Sequence, residues 1–146
     1  MEASRDGYLF SDDPGRVDVD AVWGFLRESY WARGIPRETV VRAIEGSLVG
    51  GVYTEAGEQA GFARAVTDRA TFAWIADVFV LEPHRGNGLG KWLMENLLGH
   101  PDLQGVRNTV LATADAHGLY SRFGFEPIDP EVFMSRRRSP EDVYGS

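Results

Sequence analysis

The stretch ADVFVLEPHRGNGLGKWLMENLLGHP, residues 76–101, decides how this chain folds. Its β-branched and aromatic start, residues 76–81, predicts a strand that is closed by a proline. Apolar residues then recur at helical intervals over residues 89–97, and a glycine followed by a proline is typical of a helix end. A glycine-rich turn between a strand and a helix presents unpaired N–H groups at the positive end of the helix dipole. Residues 85–91 therefore predict a seat for a pyrophosphate.

The spacing of the glycines separates this turn from two other phosphate-binding loops. A P-loop needs G-x-x-x-x-G-K-[ST], but Arg85 stands five residues before Gly90, and Lys91 is followed by tryptophan. A dinucleotide-binding turn needs G-x-G-x-x-G, whereas the glycines here alternate at Gly86, Gly88 and Gly90. The pattern that remains is R-x-x-G-x-G. An ordinary strand-to-helix connection, in which the glycines serve only backbone geometry, stays open at this point.

A second segment, DAHGLYSRFGF at residues 115–125, favours a ligand-binding loop. With the glycine turn it resembles the GNAT superfamily of acetyl-CoA-dependent N-acetyltransferases, whose second signature is A-x-x-L-Y-x-K-x-G-F on a short helix that runs into a strand. The matching residues are Ala116, Leu119, Tyr120, Gly124 and Phe125. Arg122 replaces the usual lysine, and Thr113 stands where the family often has an asparagine that contacts the pantetheine arm. The resemblance covers residues 72–125.

The resemblance implies an α/β fold, with one domain over residues 1–146. Its mixed central sheet would have about six to seven strands, helices on both faces, and a fourth strand that splays from the fifth to leave unpaired backbone groups for acetyl-CoA. No metal is implied. The implied cofactor-binding residues are Val78, Phe79, Val80, Arg85, Gly86, Asn87, Gly88, Leu89, Gly90, Lys91, Thr113 and Tyr120.

The pattern along the chain agrees with this organisation. A first strand is predicted near residues 7–10, followed by an amphipathic helix over about 18–31 with Tyr30 on its buried face, and a second helix over 36–46. The tail, residues 136–146, is predicted to fray. The other predicted strands are a hairpin at 48–55 and 60–68, the strand at 71–81 before the glycine turn, and one at 109–114.

Acetyl transfer to an amine requires removal of the amine proton, protonation of the leaving thiolate, and stabilisation of the carbonyl oxygen. The family pattern places Tyr120 beside the cofactor sulfur, and an ordinary phenol with a pKa of about 10 is comparable with an alkyl thiol. Tyr120 is therefore the predicted general acid. The amide of Val78 or Phe79 is the predicted donor to the thioester carbonyl.

The base and the acceptor site are less strongly marked. Where some family members carry a glutamate this chain has Trp74, and of the acidic pair in diamine acetyltransferases only Asp77 is kept. Asp77 is therefore predicted as a base through water or as an anchor for the substrate ammonium, with pinning of nearby backbone as the alternative. The predicted acceptor site comprises Trp31, Arg64, Trp74 and Asp77. Arg64 interrupts an apolar strand and needs an anionic partner, for which Asp77, Asp68 and a substrate carboxylate are candidates.

Composition restricts the classes of function. A net charge of −7 argues against general nucleic-acid binding. The absence of cysteine excludes disulfides and thiolate chemistry, and the histidines at 84, 100 and 117 lack metal-ligand spacing. The sequence has no apolar run of membrane-spanning length, so we expect no membrane association and a cytoplasmic location.

Together these features predict an enzyme that moves an acetyl group from acetyl-CoA to a primary amine. The alternative is a non-catalytic domain that binds acyl-CoA as a sensor, and the presence of Tyr120 favours the enzyme. The sequence leaves open whether the acceptor is a small amine, an amino acid, a protein lysine or an amino terminus, and whether another acyl-CoA is preferred. Self-association as a homodimer, through sheet edges or the C-terminal strands, also stays open.

Overall fold

The computed structural model describes residues 1–145 of the chain. The strands are β1 (Glu2–Arg5), β2 (Tyr8–Ser11), β3 (Leu48–Thr54), β4 (Gln59–Thr67), β5 (Phe72–Val80) and β6 (Asn108–Leu111). The helices are α1 (Val19–Leu26), α2 (Arg37–Glu45), α3 (Leu89–Leu98), α4 (His117–Ser121) and α5 (Pro140–Tyr144).

All six strands form one sheet in the order β1-β2-β3-β4-β5-β6. Neighbouring strands are antiparallel from β1 to β5, while β5 and β6 are parallel. The β5–β6 pairing ends where Ile75 meets Leu111, so residues 76–80 of β5 have no β6 partner. The mixed α/β fold predicted from the sequence is confirmed, and the splayed pair, the fourth and fifth strands of the sequence pattern, is β5 and β6.

Each face of the sheet carries helices and a hydrophobic core. On one face, α3 buries Leu93 and Leu97 completely against β4 residues such as Ala63. On the other face, α1 and α2 bury Val22 and Val40. Each of these large side chains contributes about 1.5–3 kcal/mol when it is fully removed from water. The two cores hold β4 and β5 between them, which fixes the position of the unpaired part of β5.

The N-terminal hairpin extends the predicted fold. The sequence pattern begins the first strand at Gly7, but β1 and β2 pair on either side of a two-residue turn formed by Asp6 and Gly7. These residues have φ angles of 50° and 83°, as a type I′ hairpin turn requires. An Asp-Gly pair is the sequence signal for such a turn, and it leaves β1 at the edge of the sheet.

The first helix is shorter than the sequence pattern predicts, because it ends at Leu26 rather than near residue 31. The buried Ser29 hydroxyl donates to the Leu26 carbonyl at 2.7 Å and accepts from the Ala32 N–H at 3.1 Å, so a side chain replaces the next helical turn. Tyr30 is consequently 61% exposed and does not lie on a buried helix face.

The C-terminal part also differs from the pattern. The described chain has no strand after Phe125, and residues 126–138 lie exposed on the surface. The tail that is predicted to fray instead contains α5, which begins where the Ser139 hydroxyl accepts from the Asp142 N–H at 3.1 Å. Tyr144 then packs against the core beside α1 and α2. Ser146 lies outside the described residues.

Candidate active site

The glycine loop between β5 and α3 is built for a ligand that approaches the backbone. Gly86 and Gly88 have φ angles of 87° and 73°, which residues with a β-carbon rarely adopt. Within residues 1–145, no backbone N–H from residue 86 to residue 91 donates a hydrogen bond. The row of free N–H groups opens into the first turn of α3, where the helix dipole adds positive potential. The loop therefore has the geometry that a pyrophosphate seat requires, and binding of a pyrophosphate there stays a prediction.

The cationic side chains of the loop are largely engaged elsewhere. Arg85 folds back so that its Nε donates to the Val80 carbonyl at 2.9 Å. Lys91 lies 3.9 Å from Glu95, one helical turn further along α3. The Asn87 amide makes a long contact, 3.4 Å, to the His84 carbonyl. The predicted anion seat would therefore consist of backbone N–H groups rather than of these side chains.

The register of β5 indicates which backbone groups face the opening toward β6. The Leu81 N–H donates to the Ala60 carbonyl of β4 at 2.8 Å. Because the backbone groups of an antiparallel pair alternate between the two sides, those of Phe79 are directed at β4. Those of Val78 and Val80 are directed away from β4, into the opening. The alternation thus favours Val78 over Phe79 as the N–H that a thioester carbonyl would meet.

A β-bulge in β5 places Asp77 next to this opening. Arg64 of β4 pairs with Ala76. Phe62, two residues earlier in β4, pairs with Phe79, so β5 carries one extra residue in this interval. Asp77 has a φ of 56°, a left-handed conformation that aspartate tolerates better than most residues. The bulge directs a carboxylate toward α1 and α2, on the face of the sheet opposite α3.

The carboxylate of Asp77 is the centre of a hydrogen-bonded network. Its Oδ2 accepts from Arg64 Nε at 2.7 Å, and its Oδ1 accepts from the indole Nε1 of Trp31 at 2.8 Å. Arg64 also donates to the Ser47 hydroxyl at 3.1 Å. The side chains of Asp77 and Arg64 are only 9% and 19% exposed. The anionic partner that Arg64 needs is therefore Asp77, while Asp68 accepts hydrogen bonds from its own turn.

The structure brings three of the four predicted acceptor-site residues together. Trp31, Arg64 and Asp77 meet in the network. Trp31 lies in the loop between α1 and α2, so its bond to Asp77 joins this loop to β5. Trp74 lies further back on β5, is 38% exposed, and makes no hydrogen bond to the network. Its indole is an exposed surface next to the site rather than part of the charged cluster.

Tyr120 is buried on the opposite side of the opening. Its ring packs in the α3-side core with 8% exposure, and its hydroxyl makes no hydrogen bond within the described chain. Burial raises the pKa of Tyr120, and the nearby charges of Asp115 and Tyr30 raise it further. Tyr30 packs edge-on against Trp31 at 5.1 Å between ring centroids. Trp31 in turn donates to Asp77, so Tyr30 lies next to the residue that bonds this carboxylate.

Thr113 lies just before α4 and bonds the residue at which this helix, which carries Tyr120, begins. Its hydroxyl oxygen accepts from the Ala116 N–H at 3.1 Å, at the point where the helix begins. Phe125 packs edge-on against Tyr120 at 6.0 Å between ring centroids. The hydroxyl of Thr113 therefore already accepts one hydrogen bond within the chain. The contact with the pantetheine arm expected of this residue stays a prediction.

Two features of the site escape the sequence pattern. The helical periodicity assigns Tyr30 to the buried face of the first helix, whereas in the structure it packs against Trp31 beside the site. The β1–β2 hairpin reaches the glycine loop through Tyr8, whose hydroxyl lies 2.9 Å from His84 Nδ1. The Asp-Gly turn is the one sequence signal that could have drawn attention to this hairpin.

Within residues 1–145, no helix is long and apolar enough to cross a membrane. The same residues contain no group of three or more histidine, aspartate and glutamate side chains that could hold a metal ion.

Comparison with known proteins places this site in a family. Residues 39–127 match the family model described as the acetyltransferase (GNAT) domain. A Gibberella zeae protein provisionally named an acetyltransferase is 31% identical over 142 residues, which cover 82% of this chain and 78% of that protein. The chloroplastic serotonin N-acetyltransferase 2 of Oryza sativa subsp. japonica is 35% identical over 130 residues, covering 82% of this chain and 64% of that protein.

A solved structure gives the same result. The crystal structure of a Xanthomonas campestris pv. campestris protein, provisionally named an acetyltransferase of the GNAT family, matches with a TM-score of 0.91 and 42% identity. The match covers 98% of this chain and 100% of that one. The two signatures, the splayed strands and these relatives agree, and the chain belongs to the GNAT family of acetyltransferases.

Proposed function

We propose that this protein is an N-acetyltransferase that uses acetyl-CoA to acetylate a primary amine, with Tyr120 as general acid. The observation that carries the proposal is the row of free N–H groups over residues 86–91, which continues from a strand whose outer edge is unpaired. A pyrophosphate and an extended amide-containing arm need these two features side by side. Acetyl-CoA has both parts, and its thioester supplies the acetyl group.

The residues along the opening have separate roles in this proposal. The N–H groups of Gly86 to Lys91 hold the pyrophosphate, and the free edge of β5 binds the pantetheine amides as an added strand would. The Val78 N–H donates to the thioester carbonyl and stabilises the negative charge that develops on its oxygen when the amine attacks. These donors are fixed by the sheet before the substrate arrives.

Tyr120 supplies the proton that the leaving thiolate requires. Because its pKa is raised by burial, the phenol is protonated throughout the neutral range. Its hydroxyl has no partner in the described chain and is free to donate to a sulfur. The hydrogen bonds of neighbouring Thr113 and the packing of Phe125 hold α4, and with it the phenol, in place.

Asp77 is better suited to positioning than to taking a proton. Both of its oxygens already accept hydrogen bonds, from Arg64 and from Trp31. We propose that the carboxylate, whose charge is balanced by Arg64, holds Trp31 and the loop between α1 and α2 beside the opening. The amine proton then passes to water.

The side chains around Asp77 suggest which class of amine is the acceptor. Trp31 bonds the Asp77 carboxylate and Tyr30 packs against Trp31, and this aromatic surface suits an aromatic amine. The rice relative is named for serotonin, a compound of that kind. A small aromatic amine is therefore the first acceptor to test, with amino acids, protein lysines and amino termini as further classes.

A non-catalytic sensor of acyl-CoA is the second candidate. The free N–H row and the splayed edge would serve binding alone equally well. The hydroxyl of Tyr120 favours the enzyme, because it has no hydrogen-bond partner in the described chain and, unlike that of Tyr53, is not fully buried, so a ligand can reach it.

Replacing Gly90 by alanine tests the cofactor site without disturbing the fold. A β-carbon at Gly90 would meet only Val80 Cγ2, at an ordinary 3.8 Å, and alanine favours the helix by about 1 kcal/mol. We expect unchanged or slightly higher thermal stability, but at least about tenfold weaker binding of coenzyme A, because the added methyl occupies the path of the pyrophosphate. Isothermal titration calorimetry measures the affinity.

Gly24→Ala is the matched control for this experiment. Gly24 lies within α1, where a β-carbon would meet nothing within 4 Å. This variant should gain similar helix stability and bind coenzyme A as the wild type does. Equal affinities of the Gly90 variant and the wild type would contradict the placement of the cofactor.

A further inference from the structure

The β1–β2 hairpin ends beside the glycine loop. Arg5 and Tyr8 are paired in register and flank the tight turn, so their side chains lie on the same face of the hairpin. The Tyr8 hydroxyl lies 2.9 Å from His84 Nδ1, and the two rings meet edge-on with centroids 5.6 Å apart. His84 ends the short turn that leads into the glycine loop. The hairpin is therefore fastened to the loop through a side-chain bond.

Arg5 extends from this hairpin to the row of free N–H groups. Its Nη2 and Nη1 atoms lie 3.4 Å and 4.0 Å from the position that a β-carbon on Gly88 would occupy. Gly88 is the N-cap of α3 and lies in the middle of the free row. The guanidinium thus lies close to the middle of the free row, although Arg5 is distant from it in sequence.

The guanidinium of Arg5 has little else to bind. Within the described chain its only anionic neighbour is Asp6, which lies 3.5 Å from Arg5 Nε and has an 84% exposed side chain. By contrast, Arg85 is bonded to the Val80 carbonyl, and Lys91 lies near Glu95. Arg5 is consequently the arginine whose terminal nitrogens are both next to the loop and unpaired.

We propose that Arg5 is a cofactor-binding residue that clamps the pyrophosphate of coenzyme A against the glycine loop from the opposite side. A guanidinium matches the geometry of phosphate oxygens and donates two parallel hydrogen bonds to them. The loop N–H groups hold one side of the diphosphate and Arg5 holds the other. This inference rests on the proposed use of acetyl-CoA. It adds a cofactor-binding residue that lies outside the two family signatures.

Arg5→Ala tests the clamp by calorimetric titration with coenzyme A and with dephospho-coenzyme A. We expect binding about tenfold to a hundredfold weaker, as for loss of a charge-assisted hydrogen bond. The factor should be the same for both ligands, because both contain the pyrophosphate. A loss seen only with coenzyme A would place Arg5 on the 3′-phosphate and overturn the assignment. The control is Arg16→Ala, which removes another exposed arginine, paired with Glu2 at 3.5 Å.

Asp6→Asn tests the same clamp in the opposite direction. Asparagine tolerates the left-handed backbone of this turn, so the change removes the charge that competes for Arg5 without straining the hairpin. We expect coenzyme A to bind about twofold to fivefold more tightly, a gain of the size expected for an exposed charge pair. Weaker binding would contradict the clamp.

The outcomes separate this inference from the proposed function. If the wild type fails to bind coenzyme A, the proposed function is wrong. If the wild type binds and Arg5→Ala binds equally well, only the role of Arg5 is wrong. Thermal unfolding of each variant without ligand confirms that the hairpin is retained.

Discussion

Tyr120→Phe is expected to lower kcat by about a hundredfold to ten-thousandfold, while the affinity for coenzyme A stays within about twofold of the wild type. The change removes the hydroxyl that protonates the leaving thiolate, but it keeps the ring that packs in the core. Since this hydroxyl makes no hydrogen bond in the described chain, its loss leaves no partner unsatisfied. Single-turnover kinetics with saturating acetyl-CoA measure the chemical step directly.

The control for this experiment is Tyr53→Phe, which also removes a phenol hydroxyl without a hydrogen-bond partner, in this case a fully buried one. Tyr53 is 2% exposed and lies on β3, away from the splayed strands. Its variant should keep the wild-type rate. An unchanged single-turnover rate constant in the Tyr120 variant would remove Tyr120 from the mechanism.

Asp77→Asn is expected to destabilise the protein by about 2–4 kcal/mol and to raise the KM for the acceptor amine. Asparagine keeps an oxygen and tolerates the left-handed backbone at this position, so the variant isolates the loss of negative charge. The Arg64 guanidinium, which is 19% exposed, is then left without its anionic partner. Urea unfolding measures the stability, and kcat/KM over the pH range measures the effect on the reaction.

The matched control is Asp20→Asn. Asp20 also bonds an arginine, with 2.7 Å to Arg37 Nε, but its side chain is 72% exposed. Solvent screening should keep its cost below about 1 kcal/mol. Wild-type kcat/KM of the Asp77 variant at every pH would reject a role in the reaction, and wild-type stability would reject the network as a structural element.

The parts of the fold that are local in sequence could be predicted from it. The alternating glycines, the strand before them and the periodic apolar residues of α3 lie within one continuous segment, so their spacing specifies strand, loop and helix together. The free N–H groups follow from the same pattern, because the first turn of any helix leaves its donors unpaired. Tyr120 could be identified only through the resemblance of its segment to the family signature.

The Asp77 network could not be predicted in the same way. Whether Asp77 meets Arg64 depends on one extra residue in β5, and a bulge is visible only once the register with β4 is known. The bond from Trp31 depends in addition on where α1 ends, which a single buried serine hydroxyl decides. Both features depend on contacts between segments far apart in the chain, about which periodicity carries no information.

The proposed function as a whole is tested most directly by incubating the protein with acetyl-CoA and a panel of amines. The panel should contain aromatic and aliphatic amines, amino acids, and peptides with a free lysine or amino terminus. Thiol release and mass spectrometry of the products measure the transfer. The proposed mechanism predicts an acetylated amine in at least one class, formed by the wild type and lost in Tyr120→Phe. Binding of coenzyme A with no acetylated product in any class would contradict it and support the acyl-CoA sensor.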